Sequence, residues 1–326
     1  MNAILITGSA GFLGSHLASY YLKKNVSVIG IDNFVTGQYL NIEKLKCESP
    51  DHFVFFHHDV VTDWSAIEAK VISYLQNHKL KLTTIFHFAS AASVPHYQKN
   101  SLETMAVNSL GLQNCLQLAL KTMAQVIFAS TSEIYGSPTA SPQSENDWGH
   151  VNPYGPRSCY DESKRFGEAL IYSWNERHQT QHGIVRIFNT YGPHMHFDDG
   201  RVILRFLRQA LQNEPLTLYG NGQQQRSFCY VDDLIQGIFD YQNSGEYKPM
   251  NLGRDEEITI FKLAEMIIDL TDSNSVIINK VLPIDDPIRR KPDLTFAKNR
   301  ISYQTETDLQ SGLSKMIHWL KTQEVK

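Results

Sequence analysis

What the chain lacks narrows its class before any motif is read. Its four cysteines, Cys47, Cys115, Cys159 and Cys229, show no Cys-x-x-Cys or other zinc spacing. That pattern fits a reduced cytoplasmic protein without a disulfide framework. No apolar run approaches the roughly 18 residues of a membrane span. No basic region or cleavage site stands before the first hydrophobic stretch at Asn2, so a secretion signal is not expected. Positive charge is not in excess either: 30 Lys and Arg face 34 Asp and Glu, a formal net charge of -4, so composition enforces no basic face for nucleic acid. Repeats and low-complexity linkers are missing as well. What is there is a chain of 326 residues, 42% hydrophobic and 20% charged, enough for one large domain or two closely joined ones with ample core.

The amino-terminal half alternates two periods. Runs rich in β-branched and aromatic residues, "AILITG", "VSVIGID", "HFVFFHHDV", "LTTIFHFAS", "QVIFAS" and "GIVRIFN", predict strands. Between them, helical spacing predicts helices over about Phe12–Lys24, Trp64–Gln76, Leu102–Thr122 and Tyr160–His178. The alternation predicts an α/β fold, a Rossmann-like doubly wound parallel sheet with helices on both faces. Beyond Tyr191 the pattern loosens: a helix near Val202–Gln212, a short "LTLYG", a helix from Val231 and elements around Thr259–Leu270 suggest a smaller C-terminal α/β lobe. The expected domains are 1–187 with a return segment at about 228–254 for a dinucleotide, and 188–227 with 255–326 for the substrate.

"TGSAGFLG" places Gly8, Gly11 and Gly14 after a hydrophobic strand and at a helix start. Glycines there permit a tight turn and close approach of backbone to a pyrophosphate at the positive helix end. Asp32 ends the next strand, the position from which an acid binds a ribose 2′-hydroxyl and repels the extra phosphate of NADP, so NAD is the expected cofactor. The alternative is a structural turn with Asp32 as a loop cap. His58, Asp59 and Val60, ending the third strand, are candidates for the adenine side, though Asp59 also suits a solvated position.

Tyr160 and Lys164 lie four apart on a predicted helix and so share a face. A cation about 5 Å from a phenol, at an effective dielectric of ~20, contributes roughly 3 kcal/mol, or about two pKa units, toward a tyrosinate base. The spacing is cheap, because Tyr20 and Lys24 satisfy it too. Tyr160 differs in following "ASTSE", a strand end where ligands of parallel sheets bind. The earlier pair reads as a surface position.

The Gly-x-x-Gly-x-x-Gly turn with a later Tyr-x-x-x-Lys resembles the extended short-chain dehydrogenase/reductase family. Within it, "STSEIYG", "PQSENDWGHVNPYGPRSCYDESKR", "RIFNTYGPHMHFDDGRV", "PLTLYGNGQQQRSFCYVDDL" and "DDPIRRKPDL" closely resemble the UDP-glucuronate decarboxylases (UDP-xylose synthases), from the glycine turn to about Ala297. The resemblance implies an NAD-dependent lyase acting on a nucleotide-sugar. Tyr160 takes the 4-hydroxyl proton while hydride leaves carbon 4, the carboxylate β to the new ketone is lost as carbon dioxide, and hydride return gives UDP-xylose with NAD recycled. Thr131 and Tyr160 would hydrogen-bond the oxygen where charge develops.

The same resemblance implies that NAD is held by Gly8, Gly11, Phe12, Leu13 and Gly14 at the turn, and by Asp32, Asn33, Thr36 and Gly37 after the second strand. Asp59, Val60, Phe88, Ser90 and Ala129 follow at later strand ends, with Tyr160 and Lys164, and then Thr190, His196 and Arg201. Tyr97, Asn189, Arg201, Tyr219, Arg226 and Arg290 match substrate positions, the arginines suiting a diphosphate and a carboxylate. Arg289 and Lys291 beside Arg290 read as a solvated basic turn. His194, His196 and Asp198 sit in one loop whose family counterpart borders the cofactor without a metal, so no metal is assigned. Cys159 has no paired base and reads as packing.

Ser132 discriminates among relatives. The nucleotide-sugar 4,6-dehydratases carry Thr-Asp-Glu, where the Asp protonates a departing hydroxyl. A serine is a poor acid for that task, and the 4-epimerases usually lack the Glu. Thr131-Ser132-Glu133 with Arg290 therefore favours decarboxylation, with Glu133 repelling the substrate carboxylate. A 4-epimerase, a 4,6-dehydratase, a decarboxylase that releases the 4-keto-pentose and a non-catalytic NAD-binding regulator are the alternatives. Departures from the family at Ala106-Val107-Asn108, at "SAASVPHY" and at Gln38-Tyr39 border the expected sites and leave the accepted uronate open. Relatives commonly form homodimers through the helices at Leu102–Thr122 and Tyr160–His178. No nucleic-acid or membrane partner is expected.

Overall fold

The computed structural model describes residues 1–138, 140–281 and 289–323. The amino-terminal alternation runs β1 (Asn2–Thr7), α1 (Phe12–Lys23), β2 (Ser27–Asp32), α2 (Tyr39–Glu48), β3 (Phe53–His57), α3 (Ser65–Asn77) and β4 (Lys81–His87). It continues with α4 (Val94–Lys99), α5 (Ser101–Ala106), a π-helical turn at Val107–Gly111, α6 (Leu112–Thr122), β5 (Gln125–Thr131), α7 (Ser158–His178) and β6 (Gly183–Ile187). Then come β7 (Thr190–Tyr191), α8 (Val202–Leu211), β8 (Leu216–Tyr219), β9 (Gln225–Ser227), β10 (Cys229–Tyr230), α9 (Val231–Asn243) and β11 (Met250–Leu252). The chain ends with β12 (Glu257–Thr259), α10 (Ile260–Thr271), β13 (Ile277–Lys280), β14 (Arg289–Arg290), α11 (Thr295–Ile301) and α12 (Leu309–Gln323).

Seven strands form the central sheet in the order β11-β6-β5-β4-β1-β2-β3. The registered pairs among β1 to β5 are all parallel. β1 and β2 are buried along nearly their whole length, which is why they read as continuous apolar runs rather than alternating ones. The core around them joins Leu5, Ile29, Val71, Leu116, Phe128 and Ile171. No helix among the described residues is long and apolar enough to cross a membrane.

The chain separates into two compact units: 1–131 with 153–185 and 241–249, and 132–152 with 186–240 and 250–326. This division differs from the expected boundaries in three places, the smallest being 186–187, which group with the second unit. Residues 132–152 group with the second unit, because Gln143 is stitched to the strand that carries Arg290. Its N–H donates to Lys291 O (2.8 Å), its Oε1 accepts the Lys291 N–H (2.7 Å), and its O accepts the Asp293 N–H (2.8 Å). Of the expected return segment, only 241–249 groups with the first unit.

The helix read as continuous from Leu102 to Thr122 is two helices joined by the π-turn. Helices α2, α4, α11 and α12 fall where no element was expected.

Candidate active site

In the first unit, β1 feeds α1 through a turn that only glycine can make. Gly8 has φ +76°, and a Cβ there would lie 2.7 Å from Ala89 N. A Cβ on Gly14 would run into Gly8 O. Backbone therefore meets backbone, leaving a side-chain-free cradle at the α1 N-terminus that suits a pyrophosphate. The pocket beside it is lined by Gly8, Gly11, Asp32, Asn33, Thr36, Asp59, Val60, Phe88 and Ser90, all expected cofactor positions, and also by Thr104 and Val107, which were not.

Asp32 does the work of a cap as well. Its Oδ2 accepts the Ala10 N–H (2.9 Å) and its Oδ1 the Phe34 N–H (2.8 Å). Burial raises its pKa, against those two bonds. Gly37 closes the same corner, since a Cβ there would meet Ala10 Cβ at 2.7 Å and Asp32 Oδ1 at 2.8 Å. Asp59 accepts from Asn33 Nδ2 (3.1 Å) and from the Val61 N–H (3.0 Å). The two readings of Asp32, loop cap and ribose acid, are thus compatible: the cap bonds fix the carboxylate on the pocket wall. The donor set and the cradle fit NAD.

The pair on α7 is buried. Tyr160, Lys164, Gly167 and Ile171 form the inward face at helical spacing. Lys164 Nζ donates to Ala129 O (2.7 Å) and lies 4.6 Å from the Phe128 ring centroid and 5.8 Å from that of Tyr160. Burial pushes the Lys164 pKa down to about 7. Tyr160 stacks on Tyr97 with ring centroids 5.0 Å apart and planes 5° from parallel. Tyr97, matched to substrate contact, is thus also the wall that holds the phenol. Thr131 is buried at the end of β5. Cys159 packs against the Tyr97 carbonyl, and burial raises its pKa.

The side chain next in sequence to Thr131 opens the second unit's cluster. Arg290 is 4% exposed and is ion-paired through Nη1 with Glu133 Oε1. The same nitrogen donates to Ser132 Oγ at 3.3 Å. Arg290 Nη2 is buried and has no hydrogen-bond partner among the described residues. So the side chains of Ser132, Glu133 and Arg290 meet. The pairing changes one expectation: Glu133 meets an arginine as an immediate counter-ion, and a second carboxylate arriving there has to share that guanidinium. Arg289 and Lys291 are not simply solvated. Arg289 makes two short bonds to Glu257 (2.6 and 2.5 Å), and Lys291 Nζ lies 3.7 Å from the same carboxylate. Residues 285–288 of the "DDPIRRKPDL" motif lie outside the described residues.

Other expected positions in the second unit have the following contacts. Thr190 Oγ1 donates to Phe188 O (2.9 Å), and Arg201 Nε lies 3.1 Å from Asp199 Oδ1. Arg226 Nη1 donates to Gln225 O (2.9 Å) on β9, whose Arg226 registers with Arg290 of β14. Tyr219 stacks under the Arg205 guanidinium at 4.8 Å, and Asn189 O accepts the Cys229 N–H (2.9 Å). His194 packs edge-on against Trp319, while His196 Nδ1 accepts the Asp198 N–H (3.1 Å). Sequence reasoning missed Asn108, Ser163 and His87, which join the Tyr160 helix to the pocket wall. A π-turn leaves no local sequence signal.

Comparison with known proteins gives the family. A family model described as the NAD dependent epimerase/dehydratase family matches residues 4–253. The chain is 42% identical over 318 residues to UDP-glucuronic acid decarboxylase 1 of Xenopus tropicalis, covering 98% of this chain and 72% of that protein. It is 40% identical over 314 residues to UDP-glucuronic acid decarboxylase 1 of Arabidopsis thaliana, covering 96% and 68%. Among solved structures, the UDP-glucuronic acid 4-epimerase from Bacillus cereus in complex with UDP-glucuronic acid and NAD is similar at 26% identity. Its TM-score is 0.84, over 98% of this chain and 99% of that one. A dTDP-glucose 4,6-dehydratase from Streptomyces venezuelae shares the fold, with a TM-score of 0.86 at 23% identity over 99% and 98% of the two chains.

Proposed function

Because the chain belongs to the NAD dependent epimerase/dehydratase family, we propose that it decarboxylates UDP-glucuronate to UDP-xylose through a transient 4-keto sugar. The observation that carries this reading is the buried Arg290, bonded to Glu133 and Ser132 with Nη2 unpartnered among the described residues. A guanidinium with one arm engaged and one donor open is suited to a second carboxylate, and a neutral hexose gives it nothing equivalent to bind.

Tyr160 takes the proton of the sugar 4-hydroxyl, and Thr131 and Tyr160 hydrogen-bond the oxygen as the ketone forms. NAD, when bound at the glycine turn and the Asp32 pocket, supplies reversible hydride acceptance at carbon 4. The carboxylate on carbon 5 is then β to a ketone. Its C–C bond breaks with the electron pair entering an enolate, held at the same oxygen by Thr131 and Tyr160. Protonation of carbon 5 and reduction of the ketone complete UDP-xylose. Lys164, titrating near neutrality, is able to pass charge and proton to the phenol beside it. Arg290 captures the carboxylate and Glu133 crowds it, so release of carbon dioxide relieves like charge. Arg201 and Arg226 are assigned to the diphosphate, with Tyr97, Asn189 and Tyr219 as further substrate contacts, and Thr190 and His196 to the cofactor.

Purified protein given UDP-glucuronate and NAD is expected to yield a sugar nucleotide lighter by carbon dioxide. A product of unchanged mass would make it a 4-epimerase, loss of water a dehydratase, and a keto-pentose product would show that hydride is not returned. No turnover of any UDP-uronate or UDP-hexose would reduce it to an NAD-binding protein. Glu133→Gln is expected to slow carbon dioxide loss by roughly 10- to 100-fold without abolishing sugar binding. Wild-type decarboxylation by that variant removes the crowding argument.

We also infer a homodimer built on α5, α6 and α7. Leu102 and Met105 on α5, Leu110 in the π-turn, Leu120 on α6, and Phe166 and Tyr172 on α7 are exposed apolar side chains on adjoining segments. Light scattering at micromolar concentration checks it, and a monomer there overturns it. Four free cysteines support a cytoplasmic location.

A further inference from the structure

The π-turn at Val107–Gly111 interrupts an otherwise continuous helix. Such single-turn widenings are rare and concentrate at functional sites. His87, the last residue of β4, bonds to the first residue of this turn. Its Nε2 lies 2.9 Å from Val107 O and its Nδ1 2.9 Å from Thr7 Oγ1. The ring is fully buried, and burial with the nearby Lys164 charge pushes its pKa down to about 3. A neutral imidazole carries one proton, and a carbonyl only accepts. Nε2–H therefore donates to Val107 O, and Nδ1 accepts the Thr7 hydroxyl.

Val107 lines the dinucleotide pocket, and the next residue, Asn108, is fully buried. Asn108 Nδ2 lies 3.2 Å from Ser90 Oγ, on the pocket wall, and 3.0 Å from Ser163 Oγ. Ser163 Oγ in turn donates to the Tyr160 carbonyl (3.0 Å), and Lys164 follows in sequence. The packing around the turn leaves little slack. A Cβ on Gly111 would lie 2.9 Å from Val60 Cγ2, and one on Gly167 would lie 2.5 Å from Phe128 Cζ.

We propose that His87 is a positioning residue: by holding the Val107 carbonyl it fixes the π-turn that sets Asn108 between Ser90 and Ser163, and so registers the Tyr160–Lys164 helix against the dinucleotide pocket. Its effect on turnover rests on the proposed decarboxylation, while its effect on the turn and on NAD does not.

The test compares three variants. His87→Phe keeps a buried aromatic ring but loses the bonds to Val107 and Thr7 and the contact with Cys115 Sγ. His87→Gln keeps a donor that reaches Val107, and His87→Asn reaches only Thr7. In His87→Phe and His87→Asn, amide exchange at Val107–Gly111 is expected to accelerate, NAD affinity to fall by roughly 3- to 10-fold, and kcat to fall about 10-fold or more with sugar KM little changed. His87→Gln is expected to restore all three. Should His87→Phe fail to fold, the Gln and Asn pair carries the same comparison. In a double variant with Asn108→Ala, the kcat loss is expected to match the larger single loss instead of the product of the two. Equal behaviour of the Gln and Asn variants, unchanged exchange and NAD affinity, or multiplying losses would each overturn the assignment. If the wild type proves not to decarboxylate, the exchange and NAD measurements still decide the role of His87.

Discussion

The chain carries the Tyr-x-x-x-Lys spacing twice, at the end of α1 and at the start of α7, and the two pairs differ in a way that distance alone misreports. Lys24 Nζ lies 4.8 Å from the Tyr20 ring centroid, closer than the 5.8 Å that separates Lys164 Nζ from the Tyr160 ring. Burial is what divides them. Lys24 is exposed and Tyr20 half-buried, whereas Lys164 and Tyr160 are 2% and 5% exposed. A charge in water is screened by a dielectric near 80, while the same charge under α7 acts on its neighbours with several times the strength. Lys164 also has a fixed acceptor in Ala129 O, and Tyr160 is clamped flat against Tyr97. The spacing offers a phenol and an ammonium in both places, and only the enclosure at α7 suits them to the proposed roles of base and modulator.

The largest break in this comparison is expected from the phenols. Tyr160→Phe removes the proton acceptor and should lower kcat by roughly 10³-fold, in line with the loss of a positioned general base. Tyr20→Phe should leave kcat within about twofold, as a surface change away from the chemistry does. Product formation followed by mass for both variants checks this, and equal losses would end the assignment of Tyr160.

The lysines sharpen the contrast through pH. Lys164→Met should lower kcat by about 10²-fold and weaken NAD binding. In the cofactor-free protein, burial holds Lys164 near pKa 7, below its ordinary 10.5. Between those values the unfolded chain keeps the proton and the folded chain has released it. Stability therefore rises with pH across that window, and below pH 7 the folded state bears the full cost of the buried charge. The wild type should gain a few kcal/mol relative to Lys164→Met on going from pH 7 to 10.5, read from urea unfolding of each protein. A pH-independent difference would mean that Lys164 is not held near neutrality.

The same contrast shows what a sequence can reveal. β1, β2, β4 and β5 were legible because strands buried on both faces collect β-branched and aromatic side chains, and the glycine turn because only glycine tolerates Gly8 at φ +76°. That Tyr160 and Lys164 share one helix face was legible from spacing. The bonds around them were not. Asn108 meets Ser90 and Ser163 across 18 and 55 residues, and His87 meets Val107 across 20, so no local period records those bonds. Helix α2 was missed because it is short and buries only Asn41, Ile42 and Leu45. Helix α12 need not have been missed: Leu313, Met316, Ile317 and Leu320 repeat at helical spacing. Arg289 and Lys291 read as solvated because their partner, Glu257, lies on another strand.

The smallest expected effect lies on the other side of the comparison. Lys24 caps the end of α1, where its backbone N–H donates to Tyr21 O, the following Asn25 N–H donates to Leu22 O, and the Lys24 side chain covers the Tyr20 ring. A cation over an exposed ring contributes about 0.5–1 kcal/mol, and a positive charge at a helix C-terminus a few tenths more. Lys24→Met keeps the apolar stem and deletes the charge, so it should cost about 1 kcal/mol in urea unfolding. That loss should shrink in high salt, because an exposed charge is screened there. Its kcat and NAD affinity should equal those of the wild type. A salt-insensitive loss would assign the effect to packing of the stem, and a fall in kcat would mean that the α1 pair is coupled to the glycine turn at the helix's other end.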